Sequence, residues 1–154
     1  MQMVDPQQSS NALLIDSPAV QSYLTILQGV MSRMAGNSTN CKTWCVSIVS
    51  AILVLIADKG KPDYAFIALI PVVLFCLLDA YYLAQERAFR DIYNDFVTKL
   101  VNGNASVLDL FSLKPMKGFR VVGSMCAAII SFAVYPFYGV LAGTLVVARF
   151  FLLK

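Results

Sequence analysis

Three apolar blocks constrain this chain more than any other feature of its sequence. No charged residue occurs in residues 43–57 or 121–148, and Asp79 is the single charge in residues 64–85. Apolar residues make up 58% of the chain and charged residues 14%, against roughly 25% charged in soluble domains. A helix rises ~1.5 Å per residue, so such blocks approach the ~30 Å hydrocarbon core of a bilayer. The pattern predicts an all-α, polytopic helical membrane protein.

The first two blocks predict a transmembrane hairpin. Residues 58–63 between them read Asp-Lys-Gly-Lys-Pro-Asp, in which glycine ends one helix and proline opens the next. Pro71 predicts a kink in the second block. That block continues without a stop signal into a charged helical stretch that ends at residues 102–104, Asn-Gly-Asn. One helix is therefore expected to leave the membrane and continue in the cytosol.

The third block fits either one kinked helix or two short ones. A single helix over residues 121–148 would be ~42 Å long, which overshoots the bilayer core unless it tilts. Pro136 lies near its middle, within an aromatic run at residues 135–138 that suits a turn at the far interface. Two spans are favoured here, which gives four transmembrane helices in all, with three as the alternative.

The N-terminal part is more polar. Its first residues lack a basic start followed by an apolar run, so they do not predict a cleaved signal peptide. Ser17-Pro18 is a helix start, after which apolar residues recur at helical spacing. The predicted division is a flexible N-terminus (1–16), a cytoplasmic amphipathic helix (17–42), the transmembrane hairpin (43–84), a cytoplasmic helix and loop (85–120), and a C-terminal transmembrane region (121–154).

Basic residues determine the predicted orientation. With the N-terminus inside, Lys59 and Lys61 would be the only ones of the 12 lysines and arginines on the outer side in the four-span arrangement. Positive charge accumulates on the cytoplasmic side of membrane proteins. We therefore expect a multi-pass protein of the bacterial inner membrane with a cytoplasmic N-terminus.

Asp79 is an ionisable residue inside an apolar span, which by default suggests a functional site. Residues at equal distances from the centre of the 58–63 turn should face each other, and this sets Lys42 level with Asp79. The two form a candidate intramembrane polar pair. An ion pair that fixes the hairpin is the simpler interpretation, and part of an ion pathway is the functional one.

A second group of candidates is basic and cytoplasmic. Positive-inside topology and anionic lipid account for these side chains without a ligand. The functional alternative is a nucleotide or single-stranded oligonucleotide held beneath the membrane. Acidic residues four positions away, as in Glu86–Arg90, compete for two of them. The candidate ligand-binding residues are Arg87, Arg90, Lys114, Lys117 and Arg120.

The sequence contains no pattern typical of enzymes. It has no histidine, no cysteine spacing for zinc, no phosphate-binding loop and no nucleophile elbow. No catalytic residue, metal or cofactor is therefore expected, and Cys41 and Cys45 are expected to act as small buried apolar residues. Gly139 and Gly143 form a GxxxG pattern, which permits close helix approach between copies of the chain.

Residues 40–45 (NCKTWC), 57–71 (ADKGKPDYAFIALIP) and 78–97 (LDAYYLAQERAFRDIYNDFV) carry a resemblance to a widespread group of small bacterial inner-membrane proteins, most without an assigned function. In size and architecture the chain also resembles transmembrane effectors of anti-phage defence, in particular the Hailong-type channel effector. This second resemblance implies a homotetramer that is kept shut by an oligonucleotide, which a partner nucleotidyltransferase makes.

The functional hypothesis is a homo-oligomeric membrane effector that forms a gated ion channel or pore. A cytoplasmic nucleotide or oligonucleotide signal would control it during anti-phage abortive infection. The alternative is a non-conducting membrane anchor or accessory subunit that recruits a cytosolic partner. A small transporter is less well supported, since Asp79 is the sole intramembrane polar site.

Overall fold

The computed structural model describes residues 15–60, 62–111 and 119–152, and all regular structure within these ranges is helical. The all-α class is confirmed. The four α-helices of the described ranges are α1 (Pro18–Lys59), α2 (Leu69–Val101), α3 (Phe119–Ile129) and α4 (Tyr135–Val147). Short 3₁₀ helices cover Pro62–Ala68 and Val107–Phe111, and a π-helical turn covers Ala148–Leu152.

Helix α1 begins and ends where local chemistry predicts. The Val20 N–H donates to the Ser17 hydroxyl at 3.3 Å, which satisfies one of the amides that a helix start leaves unpaired. Pro18 takes the first helical position, where its missing N–H costs nothing. Gly60 follows Lys59 with φ +60°, the left-handed conformation that commonly ends a helix. The predicted amphipathic helix and the first span are therefore one helix.

Helix α2 is also continuous from the second apolar block into the charged stretch, as predicted. It begins at Leu69, so Pro71 lies in its first turn rather than in the middle of a span, and opens the helix instead of kinking it. Gly103, with φ +70°, ends the helix, and the Asn104 N–H donates to the Lys99 carbonyl oxygen at 2.8 Å.

The third apolar block divides into two short helices. Helix α3 has 11 residues and α4 has 13, which correspond to ~16 and ~20 Å, well below the ~30 Å of a bilayer core. Pro136 lies in the first turn of α4. The aromatic run is therefore the start of a helix, not a turn, because proline is best accommodated where the amide has no partner.

Two helical stretches in the described ranges are long and apolar enough to cross a membrane. One is α1, and the other is Tyr64–Val101, which joins most of the first 3₁₀ helix to α2. The stretch Tyr135–Phe150 is apolar but shorter. The prediction of four transmembrane helices is therefore wrong, and its alternative of three is not supported either. The break expected within the third block is present, but it lies at residues 130–134, immediately before the aromatic run.

The chain divides into two compact units, each with its own core. The amphipathic unit comprises residues 15–33 and 85–111. Its core includes an edge-to-face contact between Tyr23 and Phe96, whose ring centroids lie 4.8 Å apart. The predicted apolar faces of both helices supply this core. Its buried residues are Val20, Tyr23, Leu27, Phe96, Leu100 and Ala105.

The apolar unit comprises the described residues in 34–84 and 119–152. Its main buried cluster is Cys45, Val49, Ala68, Val72, Val134, Tyr138 and Leu145. A smaller one consists of Ala80, Ala84 and Ala128. Cys41 and Cys45 are buried as expected, whereas Cys76 is half-buried and Cys126 exposed; all four are free thiols.

Candidate functional site

Asp79 is the centre of a buried polar cluster in the apolar unit. Its side chain is fully buried, and the Lys42 ammonium lies 2.5 Å from its Oδ2 atom. The Lys42 side chain is 24% exposed, so it is only partly buried. The two residues that were predicted to face each other, because they lie equally far from the turn, are therefore in contact. Their role in function stays a prediction.

Ser38 completes the contact from α1. Its hydroxyl donates to Oδ1 of Asp79, and the Lys42 ammonium donates to the Ser38 hydroxyl at 3.2 Å. Ser38 and Lys42 are four residues apart on one helix, and this spacing sets both on the same face. Sequence reasoning missed Ser38. Its spacing from Lys42 was the available signal.

Tyr138 brings α4 to the same cluster. Its hydroxyl donates to the Phe75 carbonyl oxygen at 3.2 Å and also lies beside the Asp79 carboxylate. The side chain is buried among apolar residues, where a phenol hydroxyl needs a partner. Nothing in the local pattern of the third block distinguishes Tyr138 from its aromatic neighbours, so this residue could not have been selected from the sequence.

The chemistry of this cluster is that of a compensated charge. One ammonium and one carboxylate give no net charge; the Ser38 hydroxyl donates to the carboxylate, and the Tyr138 hydroxyl donates to the Phe75 carbonyl oxygen. A buried ion pair is costly to break by removing one partner, because the other charge is left without compensation. The arrangement can therefore hold the α1–α2 hairpin closed or respond when the two charges separate.

The basic candidates are not brought together within the described residues. Arg90 pairs with Glu86 at 2.5 Å, as predicted from their spacing, and Arg87 is also engaged. Lys114 and Lys117 lie outside the described residues, and so does the side chain of Arg120. A basic site for a nucleotide or oligonucleotide therefore stays a prediction.

A small polar cavity lies in the amphipathic unit. It measures about 100 Å³ and is lined by Tyr23, Ile92, Asp95, Phe96, Lys99 and Asp109. The Lys99 ammonium is 3.0 Å from Asp95 Oδ2 and 3.3 Å from Asp109 Oδ1. Two carboxylates thus face one ammonium. This balance disfavours phosphate, so the cavity is not a suitable site for a nucleotide signal.

Asp109 holds the short 3₁₀ helix Val107–Phe111 in place. Its Oδ2 atom accepts from the Ser106 N–H at 2.9 Å and from the Ser106 hydroxyl at 3.0 Å. The Ser106 N–H is the main cause that lowers the pKa of Asp109, with Lys99 adding to the effect. The carboxylates of Asp95 and Asp109 in turn raise the pKa of Lys99. Ser106 and Asp109 thus form a capping element in which Asp takes the place of the usual Glu.

Replacing Asp109 with alanine should release the Ser106 amide. A carboxyl whose pKa is lower in the folded state stabilises above its ordinary pKa of 3.8, and this contribution is lost as pH falls through the lower folded value. In the parent chain the amide resonance of Ser106 should therefore stay constant until the pH approaches the lowered pKa of Asp109 in the folded state. In Asp109→Ala its hydrogen exchange should be faster at neutral pH. Asp95→Ala, which leaves the Ser106 contact intact, is the control and should not change the exchange rate.

The described part of the chain contains no group of three or more cysteine or acidic side chains placed to hold a metal ion. Comparison with known protein families, with curated proteins and with solved structures finds no match for this chain.

Proposed function

We propose that this chain is a multi-pass protein of the bacterial inner membrane with a cytoplasmic N-terminus, and that copies of it assemble into a gated ion channel or pore. A cytoplasmic nucleotide or oligonucleotide controls the pore, and its opening depolarises the cell in anti-phage abortive infection. The resemblance to Hailong-type effectors adds a partner nucleotidyltransferase and suggests a tetramer.

The observation that carries this proposal is the buried cluster of Ser38, Lys42 and Asp79. Ionisable groups inside a membrane are costly and usually serve ion pathways, relays or switches. Lys42 on α1 and Asp79 on α2 are in direct contact, so any opening of the hairpin must separate two opposite charges. A signal can act on such a contact because it biases two arrangements that differ in whether the pair is formed.

Assembly from several copies is supported by α4. A Cβ atom added at Gly139 or Gly143 would meet no atom within 4 Å. Val140 between them is 70% exposed. Small residues at this spacing let helices of different copies approach closely in a membrane. Two long apolar helices cannot enclose a pore by themselves, so a pore needs several chains.

Potassium-loaded liposomes test the proposal. The purified chain alone should release potassium and collapse an imposed membrane potential, because no nucleotide is present to keep it shut. Its expression in cells without a partner should likewise depolarise them and arrest growth. The matched control is Gly139→Leu/Gly143→Leu, in which the chain is expected to fold but not to assemble. Tight liposomes and normal growth with the parent chain would contradict a channel.

One observation favours a non-conducting membrane anchor as the second candidate. The charge of Asp79 is compensated within a single chain, so an ion pair that fixes the hairpin accounts for it without a pore. An anchor predicts copurification with a cytosolic partner and no conductance. Replacing both Lys42 and Asp79 with apolar residues should then leave partner binding unchanged, whereas it should alter gating in a channel.

A further inference from the structure

An apolar cavity lies near the turn of the α1–α2 hairpin, between α1 and the 3₁₀ helix Pro62–Ala68. Its volume is about 290 Å³, and it is open on one side. Leu55 is 62% exposed and Ile67 49% exposed, so much of this apolar wall is turned toward the surroundings. The lining residues are Ile52, Leu55, Ile56, Lys59, Tyr64 and Ile67.

The charge at this cavity is that of Lys59. Lys42 and Lys99 both contact carboxylates, whereas no carboxylate among the described side chains pairs with Lys59. Its neighbour Asp58 is exposed and forms no ion pair with it. A lysine stem can lie along apolar surface while its ammonium stays in a polar layer. The cavity thus combines an aliphatic wall with a cation that forms no ion pair with any described side chain.

This combination complements an amphiphile with an acyl chain and a negative headgroup. Tyrosine is enriched at the headgroup level of membranes, and Tyr64 lines the same cavity as Lys59. A lysine near an anionic lipid surface contributes favourable electrostatic energy, whereas a zwitterionic headgroup brings its own ammonium toward Lys59. The headgroup charge should therefore decide which lipid is retained.

We propose that this cavity binds one anionic phospholipid, with its acyl chain along Leu55 and Ile67 and its phosphate at Lys59. The inference rests on the membrane placement in the proposed function but not on ion conduction. In the proposed orientation the hairpin turn is on the outer side, so the lipid belongs to the outer leaflet.

Native mass spectrometry of the full chain in detergent, with equal amounts of phosphatidylglycerol and phosphatidylethanolamine, tests this site. The parent chain should retain phosphatidylglycerol in preference. Lys59→Gln should lower that preference about fivefold, since one lysine at an anionic surface contributes ~1 kcal/mol. Lys59→Arg should restore it. Leu55→Trp should fill the cavity and reduce the retention of both lipids.

Lys99→Gln is the matched control, because it removes the same charge from the amphipathic unit and should leave lipid retention unchanged. Equal retention of the two lipids by the parent chain would overturn the proposal, as would an unchanged preference in Lys59→Gln. Preferential binding of free fatty acid, or loss of the lipid when two copies associate, would assign another occupant and also overturn it. Specific lipid retention by a chain that conducts no ions would contradict the channel alone.

Discussion

Replacing Lys42 with leucine should destabilise the apolar unit by ~3–5 kcal/mol, because it leaves a buried carboxylate without its counter-charge. The Asp79 side chain is fully buried, and the Lys42 ammonium lies 2.5 Å from it. Ser38 would be the remaining donor from α1, and a hydroxyl cannot compensate a full charge. The variant should therefore unfold at lower temperature or denaturant concentration in detergent, as measured by circular dichroism.

The double variant Lys42→Leu/Asp79→Leu should recover most of this loss. Replacing both members of a buried ion pair with apolar residues is often neutral or even stabilising. Asp79→Leu alone should cost less than Lys42→Leu, because Lys42 is 24% exposed and its ammonium can move toward the polar layer. The four chains form a double-mutant cycle whose coupling term isolates the pair.

Lys99→Leu is the control for this cycle. Lys99 also contacts two carboxylates, but it is 42% exposed, and exposed ion pairs contribute little to stability. A loss in Lys42→Leu no larger than that in Lys99→Leu would contradict the importance of burial at Asp79. A double variant as unstable as Lys42→Leu would show that Asp79 has a role beyond its ion pair.

The contact between Lys42 and Asp79 could be predicted because it depends on simple geometry. Two helices on either side of a short turn rise equally per residue, so equal distances from the turn give facing positions. Helix ends were predictable because their signals are local. The Ser17 hydroxyl and the glycines at positions 60 and 103 act through contacts or conformations within a few residues.

Ser38 was missed although it lies four residues before Lys42, whereas Tyr138 could not be assigned to the cluster from the sequence. Tyr138 reaches Asp79 through the packing of α4, a contact far apart in the chain. The predicted number of transmembrane helices was wrong for another physical reason. Hydropathy measures how apolar a segment is, whereas crossing a bilayer also requires an unbroken helix of sufficient length. Pro136 begins α4 and leaves two helices that are too short.

Substituting leucine at both Gly139 and Gly143 should weaken self-association in a bilayer about a hundredfold, or ~2.7 kcal/mol. Within one chain a Cβ atom added at either position meets no atom within 4 Å, and both glycines are exposed, so the fold of the single chain should tolerate both leucines. Loss of association would therefore come from contacts between copies. Energy transfer between labelled chains at varied lipid-to-protein ratios measures it.

Gly123→Leu separates this effect from a general effect of bulk. Gly123 on α3 also has open space around it, but it is not part of the GxxxG pattern on α4. Leucine there should leave association unchanged. If the α4 variant associates like the parent chain but still conducts ions, the pore is built on another face. If it neither associates nor conducts, assembly through α4 is required for the pore, because the single chain has space for both leucines.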